Sequence, residues 1–172
     1  MKKIFGCLLL SVIVFGCLKN NNNTSNQVCN YMDVSTIAPD SQVQKVKAYL
    51  DSNNLTATKD PSGFYYSINS PGTGASVVNL CSVINVTFKG KFTNGTTFDS
   101  TATGSSVTFQ LGAVIVGWQK SIPFLKSGGS ITLYIPPALG YGQQDATDSQ
   151  GHVIVPGNSI LIFDVTVLSI SG

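Results

Sequence analysis

The stretch LGAVIVGWQKSIPFL, residues 111–125, is where the β pattern of this chain breaks. Leading into it, Val107, Phe109 and its first residue Leu111 alternate with polar residues, and after it Ile131, Leu133 and Ile135 do so again. Within it, Trp118, Ile122 and Leu125 recur at helical spacing, and Pro123 limits any helix to one or two turns. A short helix or turn between two strands is therefore expected over residues 117–124. A lone short helix beside a curved antiparallel sheet can bury itself across the concave face. Trp118 is the only tryptophan of the chain. It is either ordinary core at that position or the floor of a pocket, and Gly117 is expected to let the chain turn so that Val114 and Ile115 reach the rim.

Outward from this segment the texture is short β runs split by turn residues. Residues 64–69 form one run and residues 80–92 the longest, with Ile84, Val86 and Phe88 alternating against Asn85, Thr87 and Lys89. Asn94-Gly95 then reads as a two-residue hairpin turn with positive φ at both positions, and Thr96, Thr97 and Phe98 begin the return strand. Residues 160–170 form the last strand. Hairpins without regular strand–helix alternation give an antiparallel sheet in an α+β or mainly-β domain. One amphipathic helix precedes it: Pro39 with Asp40 or Ser41 marks its start, Val43, Val46 and Leu50 share a face, and Asn53-Asn54 end it.

The chain opens with Lys2 and Lys3, an apolar run over residues 4–15, and Cys17. This is a signal-peptide pattern. Val14-Phe15-Gly16-Cys17 is similar to a bacterial lipobox, which makes Cys17 a lipidation candidate; a plain secretory leader is the alternative. Residues 1–16 then form the leader, 17–38 the lipidated Cys and an Asn-rich tether, 39–60 a helical extension and 61–172 the main domain. The ten basic residues are all Lys and the eight acidic ones all Asp. Loss of Lys2 and Lys3 leaves eight of each, so the mature chain is near neutral and has no cationic stripe for nucleic acid. Cys29 and Cys81 remain as a possible disulfide in an oxidising compartment, two unpaired thiols being the alternative. Two Cys and one His are too few soft ligands for a zinc site, and no metal is expected.

The side chains needed for most chemistry are missing. Nucleophilic hydrolysis needs a Ser or Cys with a neighbouring base, and the only histidine, His152, lies in a long loop over residues 143–152 rich in Gly, Asp and Gln. Of the eight Asp, only Asp99 and Asp164 lie in β runs, which does not make a carboxylate pair. A reaction here must need little proton transfer and no covalent intermediate. What the sequence does supply is a set of apolar residues near strand ends: Phe88, Phe98, Phe109, Val114, Ile115, Trp118, Tyr141, Val155 and Phe163. Singly, each such residue is more often core than ligand-contacting. Asp99, directly after Phe98, must be solvated or stand at a pocket edge, because a carboxylate buried without a partner is costly.

Several motifs carry a resemblance. Val86-Thr87-Phe88-Lys89-Gly90, Asn94-Gly95-Thr96-Thr97-Phe98-Asp99-Ser100, Phe109-Gln110-Leu111-Gly112, Val114-Ile115-Val116-Gly117-Trp118, Ala138-Leu139-Gly140-Tyr141-Gly142, Ile154-Val155-Pro156 and Ile162-Phe163-Asp164-Val165 follow one another collinearly over residues 64–170. In that order they resemble the FKBP-type peptidyl-prolyl cis-trans isomerases. With its leader and tether, the chain resembles an FKBP lipoprotein of a Bacteroidetes-like cell envelope.

The resemblance implies an α+β fold, a curved antiparallel sheet wrapped around one short helix, and an activity that needs no cofactor. It implies Trp118 as the floor under a substrate proline, walls of Phe88, Phe98, Phe109 and Phe163, and Val114, Ile115 and Val155 along the sides. Ile115 would offer its backbone N–H to the substrate, Tyr141 would hydrogen-bond a substrate carbonyl, and Asp99 would form the polar edge. The implied partners are proline-containing unfolded or nascent proteins, macrolide inhibitors of the FKBP class and a membrane reached through the lipid anchor. The implied state is a monomer on the periplasmic side or the outer membrane. Phe88 stands where many members have Tyr, Val107 where another aromatic is common, the segment 112–118 is short, and Pro123 is unusual in the helix. A catalytically weak peptide-binding module or chaperone built on the same groove is the alternative function.

Overall fold

The computed structural model describes Tyr31 and residues 35–172. The leader, the Cys17 lipidation site and Cys29 lie outside the described residues. The elements run α1 (Asp40–Ser52), β1 (Thr58–Lys59), β2 (Tyr65–Ser70), β3 (Val83–Phe92), β4 (Thr97–Ser100), β5 (Val107–Gln110), α2 (Val116–Ser121), β6 (Ser130–Ile135), β7 (Ala146–Thr147), β8 (Val153–Val155) and β9 (Leu161–Ser171).

Seven strands form one sheet in the order β1-β2-β6-β9-β3-β4, with β5 also on β3. Every pairing is antiparallel. β3 organises the sheet. One edge pairs along its whole length with β9, while the other is shared, residues 83–86 with β5 and residues 89–91 with β4. Phe88 falls at that split. There the N–H of Thr101 donates to the Phe88 carbonyl (3.0 Å) and the Phe88 N–H donates to Thr101 Oγ1 (3.2 Å). Two partner strands leaving one strand at different points open the sheet edge beside Phe88.

Ile84, Val86, Ile131, Leu133, Ile135, Leu161 and Val167 form the buried inner surface. α2 covers it with Trp118 and the 3₁₀ turn that follows, Ile122–Phe124, adds Ile122, with Leu125 just beyond. Each of these two aliphatics contributes about 1.5–3 kcal/mol by burial. Pro123 is accommodated because the α-helix ends at Ser121 and Pro123 enters at the start of the 3₁₀ turn, where its missing N–H removes no bond. Gly117 departs from expectation. It lies inside α2 and makes no turn; a Cβ there would stand 2.7 Å from Ile135 Cδ1 and 2.9 Å from Ile135 Cγ2. It lets the helix approach the sheet, and the rim is reached instead through the extended backbone of Ile115.

Two further expectations are corrected. The Asn94-Gly95 turn has positive φ only at Gly95 (+86°). The Phe92 N–H donates to the Thr96 carbonyl (2.9 Å), and Asn94 Oδ1 accepts the Thr96 N–H (2.9 Å), giving a three-residue loop with a register slip between Gly90 and Lys91. The asparagine thus caps the loop with its side chain and does not adopt the left-handed backbone. Residues 143–152, expected as loop, supply half of a small hairpin: β7 pairs with β8 through Ala146↔Val155 and Thr147↔Val153. Asp148 closes its tip, Oδ1 accepting the N–H groups of Gln150 (2.8 Å) and His152 (2.9 Å).

α1 is part of the same core. Val43, Val46 and Leu50 are buried on the expected face, and Tyr49 meets Tyr134 at 6.4 Å. No side chain caps its start, which falls at Pro39.

Candidate active site

The split of β3, the α2 N-terminus and the turn after β6 enclose a cavity of about 260 Å³ lined by Phe88, Asp99, Phe109, Ala113, Val114, Ile115, Trp118, Tyr141 and Phe163. Trp118 is 4 % exposed and forms the floor. Three rings meet it edge-on: Phe88 at 5.5 Å and 83°, Phe109 at 6.3 Å and 85°, and Phe163 at 5.3 Å and 83°. Edge-to-face contacts of this kind contribute about 0.5–1.5 kcal/mol each beyond area burial. They also fix the indole plane. The indole Nε1–H is buried and has no acceptor among the described residues, and a donor left unmet in this way costs about 1–3 kcal/mol.

Two expected wall residues stand off the lining. Phe98 lies behind Phe163, edge-on to it at 5.5 Å and 87°. Both rings close over Gly90, where a Cβ would come within 2.7 Å of Phe98 and 2.8 Å of Phe163. Val155 is 2 % exposed in β8 and belongs to the core. Conversely, Ala113 lines the cavity from the turn Leu111–Ala113 and carried no signal in the sequence.

The rim is polar on one side. Asp99 is exposed on β4, and Tyr141 keeps 46 % of its surface exposed while its ring faces the cavity. Partial burial pushes the Tyr141 hydroxyl above the ordinary phenol range, and the nearby Asp99 carboxylate adds to the shift. Tyr141 thus stays a neutral donor. Asp164, the other β carboxylate, is taken up by Lys91 Nζ (2.8 Å) and Thr132 Oγ1 (3.0 Å) and lines no part of this cavity. On the opposite side, Gln119 Nε2 donates to the carbonyls of Val114 (2.7 Å) and Gly112 (3.2 Å). Ile115 accepts the N–H groups of Trp118 (2.9 Å) and Gln119 (3.2 Å). These bonds fix the Val114–Ile115 rim. The role of Gln119 was invisible in the sequence, where it reads as one polar residue on a helix.

Such a cavity has an aromatic floor and apolar walls, and its polar side chains are confined to Asp99 and Tyr141 at the rim. It suits a substrate with a compact apolar ring and flanking amide groups. Comparisons agree with that chemistry. The family model for FKBP-type peptidyl-prolyl cis-trans isomerase matches residues 75–168, and the chain belongs to that family. It is 41 % identical over 114 residues to the FKBP-type peptidyl-prolyl cis-trans isomerase FkpA of Buchnera aphidicola subsp. Schizaphis graminum, covering 66 % of this chain and 43 % of that protein. It is 35 % identical over 130 residues to the peptidyl-prolyl cis-trans isomerase Mip of Coxiella burnetii, covering 74 % and 54 %. Among solved structures, FkpA from Escherichia coli superposes with a TM-score of 0.64 at 30 % identity, over 77 % of this chain and 60 % of that one. AtFKBP13 does so with a TM-score of 0.60 at 32 % identity, over 68 % of this chain and all of that one. The chain spans about half the length of the curated relatives it matches.

Proposed function

We propose that this protein is a peptidyl-prolyl cis-trans isomerase acting without a cofactor on proline-containing segments of unfolded or nascent chains. The carrying observation is the Trp118 floor, held by three edge-on rings below a rim that bears Asp99 and Tyr141. Rotation about an X-Pro bond crosses a barrier of about 18–20 kcal/mol set by the partial double bond of the amide. No bond to hydrogen breaks. The planar amide is more polar than the twisted one, so water favours the ground state and an apolar cavity removes part of that preference. The proline ring rests on Trp118 between Phe88, Phe109 and Phe163. Ile115 offers its N–H and Tyr141 its hydroxyl to carbonyls flanking the bond, and Asp99 supplies the field at the twisting amide. FKBP-class macrolides occupy the same cavity.

The reading is tested by catalysed cis-trans exchange of a short X-Pro peptide, with suppression of aggregation of a denatured protein as a parallel measurement. Fast exchange is expected. Holdase action without exchange would make the protein a binding module and overturn the enzyme reading.

The same proposal places the chain in a bacterial cell envelope as a lipid-anchored monomer, with Cys17 acylated and residues 18–28 as the tether, since Tyr31 and Ala38 already pack on the domain. The signal-like opening supports this, and palmitate labelling lost in Cys17→Ala is the expected result. Cys81 is disulfide-bonded, and we assign Cys29 as its partner. In support, the Tyr31 ring lies against Gly112, whose N–H donates to the carbonyl of Leu80 (2.7 Å). The chain two residues after Cys29 is thereby beside the corner that carries Cys81.

A further inference from the structure

Tyr141 is presented to the cavity by a turn that cannot hold its own first donor. β6 is followed by Pro136 and Pro137, neither of which has an N–H, and the 3₁₀ turn Pro137–Leu139 begins there. The bonds within the turn run from Leu139 to the Pro136 carbonyl (3.0 Å), and from Gly140 (3.0 Å) and Gly142 (2.8 Å) to the Pro137 carbonyl. The N–H of Ala138 faces outward at the start of the turn, where helical turns always leave donors unsatisfied. Its acceptor is Gln42 Oε1 at 2.9 Å, on α1, 96 residues earlier in the chain.

This bond is placed to matter. α1 lies before residues 75–168, which match the family. Gln42 is one position from Val43, which packs where a Cβ on Gly63 would stand 2.8 Å from it, so the α1 N-terminus is fixed on the domain. The Ala38 N–H donates to the Ser62 carbonyl (2.8 Å) and fixes it further. Three residues beyond Ala138, Tyr141 reaches the rim opposite Val114 and Ile115.

We infer that Gln42 is a positioning residue of the site: by capping the Ala138 N–H from α1, it holds the Pro136–Gly142 turn so that Tyr141 stays at the cavity rim. The helical extension is then part of the catalytic unit. The inference rests on the isomerase reading for its kinetic consequence but not for its structural one.

The test uses the full-length chain with Gln42→Met, which keeps the length of the side chain and removes the acceptor, and Gln42→Glu, which keeps an acceptor oxygen. Two readouts are taken: KM and kcat for an X-Pro peptide, and the titration of the Tyr141 hydroxyl, isolated by subtracting a Tyr141→Phe background. Gln42→Met should raise KM about threefold to tenfold, the effect of losing one hydrogen bond, with a smaller change in kcat. Its Tyr141 titration should fall toward the ordinary tyrosine value as the ring leaves the rim. Gln42→Glu should keep both near wild type. A Gln42→Met protein that loses thermal stability but keeps KM and the Tyr141 titration unchanged would reduce Gln42 to a structural contact and overturn the inference. So would a Gln42→Glu protein that behaves like Gln42→Met. If the wild-type chain shows no isomerisation, the functional reading fails, and the titration still decides whether Gln42 positions Tyr141.

Discussion

The Phe163 ring on β9 meets the Trp118 indole on α2 edge-on, with centroids 5.3 Å apart and planes at 83°. This contact ties the central strand pair to the helix, and Phe163 is itself met edge-on by Phe98 at 5.5 Å. The floor is therefore one end of an aromatic chain that crosses the sheet. Replacing Trp118 with Phe keeps an aromatic group there but removes area and shortens the reach to Phe88 and Phe109. KM for an X-Pro peptide should rise about tenfold, or about 1.4 kcal/mol, as the floor recedes from the proline ring, with a fall in stability of about 1–3 kcal/mol from one or two lost edge contacts. A large fall in stability with unchanged KM would assign the indole to the core alone.

Tyr141 and Asp99 are exposed, so their removal should leave stability within about 0.5 kcal/mol of wild type. Tyr141→Phe and Asp99→Asn should each lower kcat/KM about fivefold to tenfold, the value of one hydrogen bond or local charge. The hydroxyl of Tyr141 is held above its ordinary 10.0. It therefore remains a donor past that pH, and its contribution is lost only as pH rises through the raised value. The rate should stay level across neutral pH, with the Tyr141 titration, read against Tyr141→Phe, falling above 10.0.

Gly117→Ala sets two effects against each other. Alanine favours a helix over glycine by about 1 kcal/mol, yet a Cβ there would lie 2.7 Å from Ile135 Cδ1. Overpacking should win, with a net loss of about 1–3 kcal/mol in urea unfolding. A partial recovery is expected with Ile135→Val, which removes the clashing methyl. A stabilised Gly117→Ala protein would show that α2 does not need this close approach.

Much of the fold and of the site could be read from the sequence, and the failures share a cause. The strands around Ile84, Phe109, Ile131 and Ile160 alternate clearly, and Trp118, Ile122 and Leu125 mark α2, because burial on one face leaves a period. Phe88, Phe109, Trp118 and Phe163 line the cavity and stand out in the sequence because large aromatic residues near strand ends have few other places to go. Phe98 and Val155, expected on the lining, stand off it, Phe98 edge-on behind Phe163 and Val155 in the core, since a sequence does not say which apolar side chain of a packed group faces the cavity. Gly117 was read as a turn for the same reason: helical close approach and turning both select glycine. Gln42, Ala113 and Gln119 act through single hydrogen bonds or small size across tertiary contacts, which leave no period at all.

The β7–β8 hairpin should respond to acid. Backbone donation from His152, followed by contact with its side chain and by the N–H groups of Gln150 and Gly151, holds the Asp148 carboxyl below its ordinary 3.8. A lowered native value means that this stabilisation is complete above 3.8 and is lost as pH falls through the lowered value. Amide exchange at Gln150 and His152 should accelerate in that acidic range, and Asp148→Ala, which removes the acceptor of both bonds, should show fast exchange already at neutral pH. Equal protection at both positions across the range would remove Asp148 from its capping role.

The central claim is that X-Pro bonds turn on Trp118, and the chain offers a direct reporter because this is its only tryptophan. The most direct measurement titrates the protein with an FKBP-class macrolide while recording indole emission and catalysed exchange of an X-Pro peptide in the same sample. The two signals should change together, saturating at one equivalent with exchange reduced to the uncatalysed rate. Exchange that persists while the indole signal saturates, or stops while the indole is unmoved, would contradict the account.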